Sequence, residues 1–181
     1  MQEIIKIMNN IILQQINEQN KPTYIVTQDD WLIIDKEEIK QYINSNNINA
    51  NLLIPVEEYI NNNLLHKSNI GVLINSNQEI DILEPYLTKL PVIAFNFETF
   101  RDGRAYSKAY LLKTRFGYNG QIRAVGDVLK DQLSYMARCG FNVFVVRKDK
   151  DINDAIKAFN DFSKNYQADV LKDTPVYNDE K

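Results

Sequence analysis

The sequence predicts an α/β fold, a small parallel sheet or an open half-barrel of βα units, and three observations carry that expectation. From Ile70 onward, four short apolar runs rich in β-branched or aromatic residues alternate with segments of helical period. The runs are nearly continuous in apolar character rather than alternating, as expected of strands covered on both faces. Gly117, Gly120 and Gly140 fall where the intervening helices should end. Strand followed by helix followed by strand implies parallel strands joined by right-handed crossovers.

Taken in chain order, the first segment carries Ile4, Ile5, Met8, Ile11, Ile12 and Ile16, broken by Glu3, Lys6 and Asn9, a spacing that predicts an amphipathic N-terminal helix. YIVT and WLIID flank the turn-forming pair Asp29 and Asp30 and predict a short β-hairpin. A helix over Glu37 to Asn44 follows. The stretch IPVEEYINNNLLHK then places Ile60, Leu64 and Leu65 at helical spacing, with Pro55 tolerated in the first turn. The four strand runs cover 70–74, 91–97, 122–128 and 141–146. Between them lie helices marked by Ile80, Leu83, Tyr86 and Leu87, by Ala105, Ala109, Leu112 and Phe116, and by Leu129, Leu133, Met136 and Ala137. A last helix carries Ile152, Ala155, Ile156, Phe159 and Phe162. The organisation read from this pattern is an adaptor region over 1–69 packed on the same core, a βα-repeat core over 70–166, and a flexible acidic tail over 167–181.

Composition narrows the function classes. At 181 residues the chain can bury roughly 70% of its unfolded surface, so no metal or disulfide staple is needed. A net charge of −3 gives no basic field for a phosphate backbone, which argues against nucleic acid as a partner. No run of about 18 apolar residues and no export signal is visible, so the expectation is a cytoplasmic protein with no membrane partner. The single cysteine, Cys139, excludes an intramolecular disulfide and fits a reducing compartment. It sits at a helix end before an apolar strand, where a small buried core residue is expected rather than a reactive thiol. His66 is the only histidine, which leaves no ligand set for zinc, haem or an iron–sulfur cluster. Gly71 and Gly103 form neither a dinucleotide fingerprint nor a P-loop, so no cofactor is encoded by a recognisable motif.

Ligands of parallel α/β folds bind outside the carboxyl ends of the strands. Two loops there are dense in chemistry: Asn96 to Ser107, and Arg123 to Gln132. The first runs from a strand end into a helix N-terminus, where Arg101 and Arg104 would add donors for a carboxylate, sulfate or phosphate. Arg123 lies inside an otherwise apolar strand, where an unpaired charge is expensive, so it requires a partner. Two readings stand: a structural pair with Asp102 or Asp127, or a side chain turned into the same mouth as Arg104 to hold an anion. Asp102 and Asp127 are likewise candidate acid/base groups or helix caps. Ser107 and Gln132 complete the candidate ligand-binding set, and Ser107 lacks an adjacent histidine that would make it a nucleophile.

The run from Phe100 to Val146 resembles the bacterial domain of unknown function 934 family. The resemblance is carried by Asp102, Gly103, Arg104, Tyr106 and Ser107; by Arg123, Ala124, Gly126, Asp127, Val128, Leu129, Asp131 and Gln132; and by Arg138, Cys139, Gly140 and Phe141. The likeness spans about Ile70 to Tyr166, including the closing DFSKNYQ. Ala105 stands where glycine is usual, and Gln121 where an acidic residue is usual. The resemblance implies a companion of assimilatory sulfate and sulfite reduction, of a kind loosely described as an oxidoreductase. Three functions follow as expectations. One is an accessory protein that binds sulfite reductase, another sulfur-assimilation protein or a small anion. The second is an enzyme acting on a sulfur oxyanion or sulfated nucleotide. The third is a purely structural interaction domain, which mutual pairing of the polar groups would favour.

Overall fold

The apolar runs become strands in the computed structural model of the chain, which describes residues 10–19, 21–44, 50–63, 67–161 and 168–171. Eight strands form one sheet: β1 (Asn10–Ile16), β2 (Pro22–Gln28), β3 (Trp31–Ile33), β4 (Asn51–Pro55), β5 (Ile70–Asn75), β6 (Val92–Phe97), β7 (Gln121–Gly126) and β8 (Val143–Phe144). Their order is β2-β1-β8-β7-β6-β5-β4-β3. From β3 to β8 the neighbours are sequential and parallel, whereas β1 runs antiparallel to both β8 and β2. Sequential parallel strands with crossovers of one hand put every connection on the same face and curl the sheet around the other. The sheet is therefore a curled, open half-barrel.

The connections are α1 (Lys36–Asn44), α2 (Val56–Asn61), a 3-10 helix over Asp81–Tyr86, α3 (Arg104–Thr114), a 3-10 turn over Lys130–Gln132 running into α4 (Leu133–Arg138), and α5 (Ile152–Ala155) continued by a 3-10 turn over Ile156–Asn160. Pro85 lies inside the first 3-10 helix, where its missing N–H is incompatible with a continuous α-helix. Alternation along each strand divides the apolar side chains between two cores. Ile54, Val72, Ile74, Ile93, Phe95, Phe97, Ile122, Ala124 and Phe144 face the helices in the larger one. Leu53, Val92, Ala94 and Val125 face the concave side, with Trp31, Leu73 and Val145 partly buried against them. Phe141 ties strand ends to helices through edge contacts with Phe95 and Tyr106.

The first part of the chain departs from the expected elements. Residues 10–16 are β1, not the end of a helix, because pairing with β2 over seven residues and with β8 satisfies backbone groups that local periodicity does not reveal. Ile4, Ile5 and Met8 lie outside the described residues. The Asp29–Asp30 link does not close a hairpin, since β2 pairs with β1 and β3 pairs with β4 at the opposite edge. Three chain steps separate Gln28 from Trp31, so these edges approach within roughly 11 Å. Successive halves of one extended segment thus bridge the open side of the sheet. β4 is a strand the periodicity did not announce, and α2 starts directly after Pro55. α1 matches its expected span to within one residue. Leu64, Leu65, His66, Phe162, most of DFSKNYQ and residues 172–181 lie outside the described residues. Among the described residues, no helix is long and apolar enough to cross a membrane.

Candidate functional site

Arg123 points to the concave side because its neighbours Ile122 and Ala124 face the helices. Its side chain is 2% exposed and its partner is Asp29, 8% exposed, at 2.7 Å. This corrects the expected pairing with Asp102 or Asp127: the β2–β3 link, distant in sequence, delivers the carboxylate. Arg123 Nε and Nη2 donate to Gln121 Oε1 at 3.1 and 2.9 Å. The guanidinium carbon stands 5.4 Å from the centre of the Trp31 ring, and the Trp31 N–H donates to Asp29 at 3.2 Å. Every element of this cluster fixes where the chain crosses the open side of the sheet. Gln121 is a neutral acceptor at a position where the resemblance leads one to expect an acid, and it still satisfies Arg123.

At the carboxyl ends of β6 and β7 a second network forms. Asp127 follows Gly126, whose φ is +93° and where a Cβ would collide with the Phe97 carbonyl oxygen. Only glycine allows this approach, which places the Asp127 N–H on Phe97 O at 2.8 Å. The Asp127 carboxylate does not cap its own helix. Instead it accepts from the Phe100 N–H at 2.9 Å and from Arg147 Nη1 at 2.8 Å. Gln132 Nε2 donates to the Phe100 carbonyl at 2.7 Å, while its oxygen accepts the Leu129 N–H at 3.3 Å. Both backbone groups of Phe100 are therefore held by side chains of the next βα loop.

Asp102 and Arg104 pair with each other through two hydrogen bonds of 2.9 and 2.6 Å. The carboxylate is turned in, 14% exposed, and the guanidinium out, 60% exposed. The Arg104 contact, foremost, holds the Asp102 carboxyl well below the usual carboxylate range. Asp127 is also held low, by the Phe100 N–H first and Arg147 second. A general base works best with a pKa near the operating pH, and both groups are displaced away from it. Burial pushes the Tyr106 phenol up to about 12 and raises the Cys139 thiol, so both stay protonated at neutral pH. Ser107 is exposed on α3, in a groove with Cys139, away from both networks. The structure thus joins Asp127 and Gln132 at Phe100, pairs Asp102 with Arg104, and separates Arg123 from all of them.

Asp29, Trp31, Phe100 and Arg147 were not singled out as site residues. Arg147 carried a usable signal, a cation just past the last strand run. Asp29 carried none, because it reads as half of a turn. Among the described residues, no group of three or more His, Cys, Asp or Glu is placed to hold a metal ion.

The family model described as "Bacterial protein of unknown function (DUF934)" matches residues 71–177. The chain belongs to this family. Its matched region begins in β5 and includes both loops of the Phe100 network and the arginine of the buried pair, whereas Asp29 lies outside it. No curated protein and no solved structure matches the chain.

Proposed function

We propose that this DUF934 protein is an accessory component of assimilatory sulfate and sulfite reduction that acts by binding a protein of that machinery, without redox chemistry of its own. The observation that carries the reading is the double anchoring of Phe100. An exposed aromatic ring, 41% accessible, has its N–H and C=O both fixed from Asp127 and Gln132. A rigid aromatic anchor beside arginine costs little entropy on binding, and such residues dominate protein interfaces. The carboxylates that a catalytic reading would use are occupied in holding that loop and in pairing with Arg104 and Arg147. The sulfur assignment comes from the company the family is associated with.

One feature favours the alternative of a small-anion enzyme: Arg104 opens α3 with its guanidinium exposed, next to Arg101. The two readings separate in one pair of measurements. Biolayer interferometry of the purified chain against purified assimilatory sulfite reductase should show saturable binding, weakened about tenfold or more by Phe100→Ala. Absence of that binding, with a rise in unfolding temperature on adding sulfite, sulfate or adenosine phosphosulfate and turnover of the same anion, would replace the accessory reading with the enzyme.

A further inference from the structure

β2 closes one end of the sheet with an edge that pairs with no strand among the described residues. Gln14 donates its N–H to Asn142 O beside β8 at 2.9 Å, so alternation turns the backbone of Ile11, Leu13 and Gln15 toward β2. Their partners there are Thr27, Ile25 and Thr23, which leaves the N–H and C=O groups of Tyr24, Val26 and Gln28 pointing outward. Those outward groups make no backbone hydrogen bond among the described residues. β3 pairs with β4 only from Trp31 onward, and at roughly 3.3 Å per residue that ladder begins about 20 Å beyond Tyr24.

The edge is firm, and it carries none of the usual defences. β2 pairs with β1 along its whole length, and the Tyr24 ring stacks on Phe159 at 3.6 Å. Exposed edges are ordinarily blunted by charged side chains, bulges or a covering loop. From Pro22 to Gln28 the strand reads PTYIVTQ, with no charged side chain and no bulge in its register. Its centre, Thr23-Tyr24-Ile25-Val26-Thr27, has the same pattern from either end: a threonine, then a large apolar residue, about Ile25. Tyr24 and Val26 pack against the helical core, and Ile25 turns to the other face, where it is 38% exposed.

We propose that β2 is a dimerisation edge, pairing antiparallel with β2 of a second copy of this chain about a two-fold axis at Ile25. A two-fold contact joins a surface to itself, so the strand must complement its own reverse. In this register Tyr24 faces Val26 of the second copy and Gln28 faces Pro22 of the second copy. Every outward N–H therefore meets an outward C=O. Pro22, which has no N–H to donate, falls at the outermost pair, where edge prolines are tolerated. Ile25 meets its own counterpart, Thr23 meets Thr27, and Tyr24 meets a β-branched residue, all pairings that stabilise sheets. Lys21, exposed, falls across from the Asp29–Asp30 turn of the second copy, so opposite charges meet at both ends. This surface is separate from the Phe100 loop, and the inference stands whether or not the accessory reading does.

Sedimentation velocity of the full chain across the micromolar range tests it and should show a concentration-dependent dimer. Ile25→Lys and Ile25→Glu each set like charges opposite one another at the axis and should weaken self-association about tenfold, with unfolding temperature unchanged. An equimolar mixture of the two variants should restore the dimer. Cysteine cross-linking reads the register independently, since the native Cys139 is buried. Ile25→Cys should form a disulfide dimer on mild oxidation, and Thr27→Cys should not, because its counterpart in the second copy lies four residues out of register. A chain that stays monomeric at millimolar concentration would overturn the proposal. So would a dimer unaffected by a folded Ile25→Lys chain, a mixture that associates no better than either variant alone, or cross-linking at Thr27 as fast as at Ile25. If the charged variants do not fold, the two cysteine variants decide it.

Discussion

Arg123 and Asp127 lie four residues apart in one family box, and the structure spends them in opposite ways. Arg123 is inside the curl of the sheet, 2% exposed, joined to Asp29, Gln121 and Trp31. Asp127 is past the strand end, where its carboxylate braces the loop that presents Phe100. Between them Gly126 turns the chain out of the sheet with a positive φ. The interior cluster holds the fold's two edges in place. The rim network holds a surface in place. A charged residue within a recurring box is thus no guide to function until its compartment is known, because desolvation makes one pair obligatory and leaves the other adjustable.

The comparison predicts a steep ordering of effects. Arg123→Ala leaves Asp29 buried without its cation and should destabilise the fold by about 3–5 kcal/mol. Urea unfolding measures this, and the double change Asp29→Leu with Arg123→Met should cost less than either single change. Additive losses would mean that the pair is not coupled. Gly126→Ala should cost about 1–3 kcal/mol, because alanine is strained at this φ and its Cβ meets the Phe97 carbonyl. A loss below the error of the same unfolding assay would show that the turn relaxes.

The smallest effect is electrostatic and local to the rim. Asp127 and Asp102 have depressed folded pKa values, so their contribution is present above the unfolded carboxylate value and is lost as pH falls through the folded one. The window therefore lies below about pH 4. Amide hydrogen exchange at Phe100 should be protected at neutral pH and lose protection as Asp127 protonates. Asp127→Asn should remove that dependence with little change in global stability. Loss of Phe100 protection already near pH 6 would contradict the geometry.

Legibility of the fold follows the same divide between local and distant cause. The strands β5 to β7 and helix α3 were visible because each is buried on both faces or carries a regular apolar stripe. β8 was visible as an apolar run but pairs over only two residues, since it is short and shared between β7 and β1. β1 and β4 were hidden: one has a spacing compatible with a helix, and the other is five residues long and leads straight into α2. The candidate residues were legible as polar groups near strand ends, and their partners were not. Asp102 finds Arg104 two residues away, but Asp127 finds Phe100 and Arg147, and Arg123 finds Asp29, only across the fold.

The sequence by itself determined the alternation of strands and helices after Ile70, the family, and the requirement that Arg123 be paired. Those follow from periodicity, from boxes in fixed order, and from the cost of a lone charge in an apolar strand. The tertiary structure alone decided that Asp29 supplies the pair, that β2 and β3 occupy the two edges of one curled sheet, and that Asp127 and Gln132 hold Phe100 from the next βα loop. Each of these depends on which segments meet after the chain has crossed the sheet, and pairing between distant segments leaves no mark in the local pattern of either.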